Sequence, residues 1–289
     1  VARGSQSGDN VTANFGHTAF SATPPESAVA LNTANFTAPT VTDPRKYFAT
    51  SLWVGTGTEG KATRACFDST GTAWTPDFAW IKNRSTDSTD WVIADIIRGV
   101  TKNIFSNSTA GQDTGTRTTA FIEGGIVVGA SNFTNKSGDN QVGYFLKAGG
   151  AASSNGNGSI TTNVSAADHG GFSIITYTGN GSAGATIGHG LSRAANFQIF
   201  KRYNSAQDWH VGTDASGSII GLELNNAVDS VTAAVTAFGA TTTTLAASGV
   251  VNDNTDSYVS YAFARTPGLI GIGTYTGNGS TDGPMITID

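Results

Sequence analysis

The sequence predicts an all-β protein made of tandem antiparallel β-sandwich domains of jelly-roll-like type, preceded by an extended N-terminal connector. Glycine contributes 37 of the 289 residues and charged residues only 13%, against usual shares of roughly 7% and roughly 25%. β-Branched and turn residues alternate in short blocks, which favours strands over helices. A phrase also recurs, as LWVGTG at 52–57 and as TYTGNG at 176–181 and 274–279. Recurrence of one strand and turn predicts structural repeats.

Charge and cysteine content exclude several classes of protein. The net charge is −5 and the basic residues are scattered, so the sequence lacks the basic stripe of a nucleic-acid-binding protein. No apolar run reaches the ~20 residues of a membrane-spanning helix, and we expect no membrane insertion. The single cysteine, Cys66, cannot form an intrachain disulfide and is predicted to be a small buried hydrophobe.

The N-terminal part divides into two segments. Residues 1–16 contain an alternating stretch, 10–15, and are predicted to be the terminal strand of a preceding domain. Residues 17–45 hold four of the seven prolines and no sustained periodicity. They are predicted to form an extended Pro-rich connector along a surface.

Residues 46–149 form the first predicted β-sandwich repeat. Its predicted strands are short and bounded by turn residues: Thr50–Val54, Asp77–Lys82, Trp91–Asp95, Ala120–Ile122, Ile126–Val128 and Gln141–Leu146. Residues 150–171 form a Gly/Ser/Asn linker around one candidate strand, Ser159–Val164. The composition fits a flexible linker and a covering strand equally well.

Residues 172–268 form the second predicted repeat, because its landmarks follow those of the first in order. Residues 78–91 match 197–209, each with an apolar strand, basic residues, a polar turn and Asp-Trp. Residues 142–148 likewise match 259–265. Residues 269–289 restart the pattern, and two interpretations stay open: a third repeat that continues past Asp289, or a strand that caps the second repeat or pairs with a neighbouring molecule.

No pattern of catalytic or metal-binding residues occurs in the sequence. The motifs of metalloproteases, serine hydrolases and P-loop proteins are absent, and we predict no catalytic residue, no cofactor and no metal. The acidic turns TDSTD at 86–90 and NDNTD at 252–256 offer two carboxylates each, too few for calcium, and are predicted to be solvated turns. The Gly-Asn-Gly phrases are predicted to be hairpin turns. His210 follows Trp209 on a strand and is predicted to be exposed or at an interface.

The tryptophans carry most of the information about binding. Four of the five fall on predicted strands, where core or subunit-interface positions are expected. Trp74 instead lies in the loop GTAWTPD, which has no counterpart in the second repeat. It is therefore the candidate for an exposed platform on which a glycan would stack.

Several phrases resemble a known family: YFATSLWVGTGTEG, DFAWIKNRS, YFLKAGG, GFSIITYTGNGSAGATIGHGL and YVSYAFARTPG. Their order is similar to the repeated β-domain of tail-fibre-like structural proteins of marine bacteriophages. In those proteins the repeats follow a SPRY-like domain whose last strand reads much like GDNVTANFG, at 8–16 here. The likeness extends from Gly8 to about Pro284, with a departure after GHGL at 188–191.

The resemblance implies a virion structural protein of a tail or capsid fibre, made in the host cytoplasm. It implies a homo-oligomer, commonly a trimer, with other virion proteins and a host cell-surface glycan as further partners, and it assigns no catalysis.

Three alternatives stay open. The first is a bacterial carbohydrate-binding adhesin or lectin-like surface protein, and the second is a purely structural filament subunit. The third, a polysaccharide-cleaving enzyme, needs two carboxylates ~5–9.5 Å apart. Its candidates, Glu59, Asp68, Glu123 and Glu223, are spread over separate turns and strands.

Overall fold

Strands make up almost all of the regular structure. The computed structural model describes residues 39–225 and 233–284, and in these ranges it contains nineteen strands and one short 3₁₀ helix, Pro44–Lys46. The predicted all-β class is therefore confirmed. The terminal strand expected in 1–16 and most of the predicted connector lie outside the described residues.

Nine strands precede the predicted linker. They are β1 (Phe48–Val54), β2 (Lys61–Arg64), β3 (Phe78–Asn83), β4 (Val92–Asp95), β5 (Lys102–Phe105), β6 (Asp113–Thr114), β7 (Thr118–Ile122), β8 (Gly125–Val128) and β9 (Asn140–Leu146).

Ten strands follow. They are β10 (Ser153–Asn155), β11 (Thr162–Ala166), β12 (Phe172–Thr178), β13 (Ala185–Gly188), β14 (Phe197–Arg202), β15 (His210–Thr213), β16 (Ile220–Leu222), β17 (Val235–Phe238), β18 (Thr242–Leu245) and β19 (Ser257–Phe263).

The strands form four antiparallel sheets. The first large sheet has the order β1-β9-β3-β4-β5-β6, and the first small sheet the order β2-β8-β7. The second large sheet has the order β10-β11-β12-β19-β14-β15-β16, and the second small sheet the order β13-β18-β17. The run β1-β9-β3-β4-β5 recurs as β12-β19-β14-β15-β16, and β2-β8-β7 recurs as β13-β18-β17. The described chain thus repeats one topology, while the boundaries 46–149 and 172–268 stay predictions.

Three apolar cores separate the four sheets. Because successive side chains of a strand point to opposite faces, each large sheet contributes to two cores. In β14, for example, Ile199 enters the core between the two large sheets and Phe200 enters the core under the second small sheet. The order of layers is therefore small, large, large, small, and all described residues from Thr40 onward belong to one compact unit.

Buried polar contacts join the two large sheets. The indole Nε1 of Trp209 donates to the carbonyl oxygens of Phe105 at 2.8 Å and of Ser108 at 3.1 Å. The ammonium of Lys201 donates to the carbonyl of Thr109 at 2.7 Å. Because these donors are buried, the contacts fix the position of the β5–β6 region against the second large sheet.

Asn135 and Asn252 hold the two glycine turns in the same way. The carbonyl of Asn135 accepts from the amide of Gly57 at 2.7 Å, and its side-chain oxygen accepts from the amide of Thr56 at 2.8 Å. In the second repeat, the carbonyl of Asn252 accepts from Gly181 at 3.0 Å, and its side-chain oxygen accepts from the preceding amide at 2.9 Å. The two glycines have φ of +71° and +70°, the left-handed region that favours glycine.

The predicted linker is part of the second large sheet. The candidate strand Ser159–Val164 is displaced to Thr162–Ala166, which pairs with β12, so the covering-strand alternative describes this segment. Ile160 instead makes an isolated parallel bridge to Ile187.

The third copy of the recurring phrase forms no strand within 269–284. In the first two copies the closing strand of the same repeat, β9 or β19, pairs with the phrase, and no described strand does so at 274–279. In the ranges described, the chain also has no helix long and apolar enough to cross a membrane.

Candidate interaction surface

Trp74, the predicted sugar platform, is buried. Only 6% of the residue is exposed, and its ring packs among Cys66, Ile81 and Ile126 under the first small sheet. Its indole Nε1 donates to the carbonyl of Arg45 at 2.7 Å. The prediction of an exposed platform was wrong because the chain around Arg45 covers this loop, a contact that no local pattern announces.

His210 is also buried, contrary to the prediction that it is exposed or at an interface. It lies on the opposite face of the second large sheet from Trp209, but that face carries a core as well, and 1% of the residue is exposed. Its Nε2 accepts from the amide of Ala234 at 3.3 Å. Burial lowers the pKa of His210 to about 4, so the imidazole is neutral at neutral pH.

The acidic turns are occupied by contacts within the chain. Arg202 pairs with Asp256 at 2.6 Å and with Asp253 at 3.5 Å in the second turn. In the first turn, Asp90 accepts from the side-chain amide of Asn107 at 2.8 Å. Over 39–225 and 233–284, no three His, Cys, Asp or Glu side chains converge into a metal-binding group.

A cavity of about 1010 Å³ lies beside the junction of the two repeats, next to the glycines and alanines of 148–152. Its buried carboxylate, Asp77, accepts from the amides of Ala148 at 2.8 Å and Gly150 at 3.3 Å. Burial raises the pKa of Asp77. Since these bonds fix the exit of β9, we assign the carboxylate a structural role.

The aromatic groove is the most distinctive feature of the described surface. It has a volume of about 500 Å³ and an entirely apolar exposed wall, and it opens between the two large sheets where their shared core ends. Its lining residues come from both sheets and from the loop before β4: Phe48, Phe78, Trp80, Trp91, Ile93, Tyr144, Leu146, Ile199, Tyr261 and Phe263. The rings of Trp80 and Trp91 meet edge to face at 5.8 Å.

The apolar wall limits what the groove binds. Sugar sites combine an aromatic face with convergent hydrogen-bonding groups. Here the indole Nε1 of Trp80 donates to Ser106 at 3.1 Å, and the hydroxyl of Tyr261 donates to Asp95 at 2.8 Å. The groove therefore suits apolar side chains better than sugars.

The apolar surface continues from the groove along strand β1. Phe48, which lines the groove, is 44% exposed, and Leu52 and Val54 on the same face are 65% and 55% exposed. The odd-numbered residues point the other way, where Trp53 enters the core under the first small sheet. We call Phe48, Leu52 and Val54 the β1 surface.

β1 is also an edge strand among the described residues, with β9 as its one neighbour. The amide of Lys147 donates to the carbonyl of Tyr47 at 2.9 Å, and the amide of Gly55 donates to the carbonyl of Asp139 at 2.8 Å. The backbone amides and carbonyls of the odd-numbered residues of this strand therefore point toward β9. By alternation, the amides and carbonyls of the even-numbered residues 48–54 point to the open edge.

The corresponding edge in the second repeat is covered. β12 pairs with β11 in an antiparallel register that places Ser165 opposite Ile174 and Asn163 opposite Thr176. Where β1 has exposed Leu52, β12 has buried Thr176. The two edges thus differ in both strand cover and side-chain chemistry.

The sequence reasoning missed this surface. The apolar alternation of Phe48, Leu52 and Val54 can be read in the sequence, but it is also the signal of a half-buried strand. Leu52 and Val54 are exposed because the core between the two large sheets does not extend over this end of β1, which no single-strand pattern reveals.

Comparison with known proteins places the chain in one family. Neither the curated proteins nor the solved structures contain a match to this sequence. The model of the family described as "Domain of unknown function (DUF7483)" matches residues 43–288, which include both repeats and the β1 surface. The chain therefore belongs to the DUF7483 family.

Proposed function

We propose that this chain is a structural component of a bacteriophage virion, in a tail or capsid fibre, and that it assembles as a homo-oligomer through the β1 surface. The resemblance of its repeated phrases to tail-fibre-like proteins supports the virion assignment. The proposal includes contact between exposed loops and a host surface, with other virion proteins as neighbours, and it includes no catalytic step.

The observation that carries the proposal is the apolar edge strand β1. Soluble proteins protect strand edges with charged residues, prolines or bulges, because an open edge pairs with other chains. β1 is seven residues long, carries no charge and no proline, and exposes Leu52 and Val54. Such an edge supports a role in assembly.

A carbohydrate-binding adhesin is the alternative. The half-exposed rings of Trp80 and Trp91 would offer aromatic faces. However, the apolar wall of the groove gives this function less support than assembly, and Trp74 is buried. Binding of the full chain to a glycan array, lost on Trp91→Ala, would favour the adhesin.

Location in the particle tests the virion assignment. Antibodies raised against the full chain are used to label phage particles that encode it, and the purified particles are digested for mass spectrometry. We expect gold label on a fibre and peptides from both repeats at structural-protein abundance. Peptides in the lysate but none in purified particles would contradict the assignment.

A further inference from the structure

We infer that two copies of this chain join by antiparallel pairing of β1 with β1 about a two-fold axis at Ser51, which continues the first large sheet across both copies. This inference rests on the proposed homo-oligomer and names its contact. In this register Phe48 lies opposite Val54 of the partner copy, and Thr50 lies opposite Leu52. All seven residues of each β1 strand are then paired.

The backbone of β1 is arranged for such pairing. Tyr47 and Gly55 form backbone hydrogen bonds with residues on the β9 side. Because backbone groups alternate along a strand, the amides and carbonyls of the four even-numbered residues of β1 point to the open edge. In the proposed register every even-numbered residue faces an even-numbered residue. Each such pair exchanges two hydrogen bonds in an antiparallel ladder, so four pairs provide about eight bonds.

The side chains match in the same register. A two-fold axis through Ser51 keeps the even-numbered side chains of both strands on one face of the joined sheet. Phe48, Leu52 and Val54 of both copies then form one apolar band that continues into the aromatic groove of each copy. A shift of the register by one residue would place the even-numbered side chains of one copy opposite the odd-numbered residues of the other, which belong to the face that carries Trp53. The apolar pattern therefore restricts the register.

Charge and topology favour a second copy as the occupant. β1 carries no charged residue between Phe48 and Val54, so pairing it with itself brings no like charges together. The equivalent edge of β12 accepts an antiparallel strand, β11, whose polar Asn163 lies opposite Thr176 at the position that corresponds to Leu52 of β1. The apolar β1 edge calls for an apolar strand, and β1 itself has that character.

Cysteine cross-linking tests the contact and its register. Thr50→Cys and Leu52→Cys are prepared as separate full-length variants, mixed, and oxidised under mild conditions. Opposed residues in a ladder have Cα atoms ~5.5 Å apart, within the ~4.4–6.8 Å range of disulfides. The native Cys66 is buried and its pKa is raised to about 12 by burial, so it stays unreactive. Tyr275→Cys, at an exposed site outside β1, is the control.

We expect most of the mixed sample to form a covalent dimer of one Thr50→Cys and one Leu52→Cys chain, at least five-fold more than either variant alone or the control. Leu52→Lys should weaken the pairing at least ten-fold without loss of folding, because it replaces apolar contacts of the band with two like charges at diagonal positions of neighbouring strands.

Three results would overturn the inference. Self-linking of Thr50→Cys at the level of the mixture would establish another register. An oligomer that forms no β1 cross-link and tolerates Leu52→Lys would exclude this contact while leaving homo-oligomer assembly intact. A wild-type chain that stays monomeric at every concentration would exclude both this contact and the proposed assembly, and slow amide exchange in 48–54 would then mean that another strand covers the edge.

Discussion

The hydroxyl of Tyr261 donates to the carboxylate of Asp95 at 2.8 Å, joining β19 of the second repeat to β4 of the first. The same carboxylate binds the guanidinium of Arg98 at 2.7 Å, and Arg98 in turn reaches the Tyr261 hydroxyl at 3.3 Å. The side chains of Asp95 and Arg98 are almost fully buried. A buried ion pair is thus completed by a side chain from the other repeat, next to the floor of the aromatic groove.

Tyr261→Phe should lower the free energy of unfolding by about 2 kcal/mol, because a bond to a buried charged group is lost without any gain in packing. Urea unfolding at pH 7 measures the change. Tyr275→Phe, at an exposed tyrosine, is the control and should be neutral. Equal stability of Tyr261→Phe and wild type would mean that the contact between repeats contributes nothing measurable.

Asn135 provides a test of the turn shared by the repeats. Its side-chain amide donates to the carbonyls of Thr58 at 2.7 Å and Gly129 at 3.0 Å, in addition to accepting from Thr56. Asn135→Ala should cost about 2–4 kcal/mol, because it leaves the buried carbonyl of Gly129 and two partly buried backbone groups of the turn without their partner. Asn252→Ala should behave in the same way.

Asn278→Ala is the matched control for both turn variants. Asn278 lies in the third copy of the phrase, at the position of Asn180 in the second copy, and it is exposed and accepts a single local bond from Ser280 at 2.9 Å. We expect a change below about 0.5 kcal/mol. A control that costs as much as Asn135→Ala would contradict the idea that closure by the repeat stabilises the turn.

Trp74→Ala should lower the free energy of unfolding by about 3–5 kcal/mol, the cost of removing a large ring from a packed core. Iodide should quench the fluorescence of Trp74 poorly, which is measured as the difference between wild type and Trp74→Phe. A Trp74→Ala variant that is as stable as wild type but binds glycans more weakly would contradict the burial of Trp74 and support the exposed sugar platform predicted from the sequence.

His210 should make the protein less stable in acid. Its pKa is about 4 in the folded chain and 6.5 ordinarily, so the unfolded state binds more protons between these values. Stability from this group is therefore complete above pH 6.5 and falls by about 1.4 kcal/mol per unit as the pH decreases toward 4. His169 and His189 also have pKa values lowered, mainly by burial, and act in the same direction.

His210→Gln separates this contribution, since glutamine keeps an acceptor for the amide of Ala234 and takes up no proton. The loss of unfolding free energy between pH 7 and pH 4.5 should be smaller in the variant by about 2.5 kcal/mol. Urea titrations at the two pH values measure it. An identical loss in both proteins would mean that His210 is solvated in the folded state.

The sequence predicted the strands with strong apolar patterns. All six strands expected in 46–149 are present, within one or two residues, as β1, β3, β4, β7, β8 and β9. Three strands of this segment, β2, β5 and β6, were not predicted. In β2, three of the four residues in Lys61–Arg64 keep exposed or half-exposed side chains. Such a strand depends on pairing with β8 rather than on its own pattern.

The contacts between distant elements could not be predicted. Burial of Trp74 depends on Arg45, and the aromatic groove depends on how the two large sheets meet. The shared role of Asn135 and Asn252 could have been inferred from the sequence. Once the repeats are aligned, each is followed four residues later by an aspartate whose carbonyl accepts from the first glycine of the turn.

The native mass of the full chain is the most direct test of assembly through β1. Light scattering over a concentration series should give a dimer or larger oligomer for the wild type. The variant Leu52→Lys combined with Val54→Lys should give a folded monomer, and Tyr275→Lys should keep the wild-type mass. A monomeric wild type, or an oligomer unchanged by the two lysines, would contradict the account.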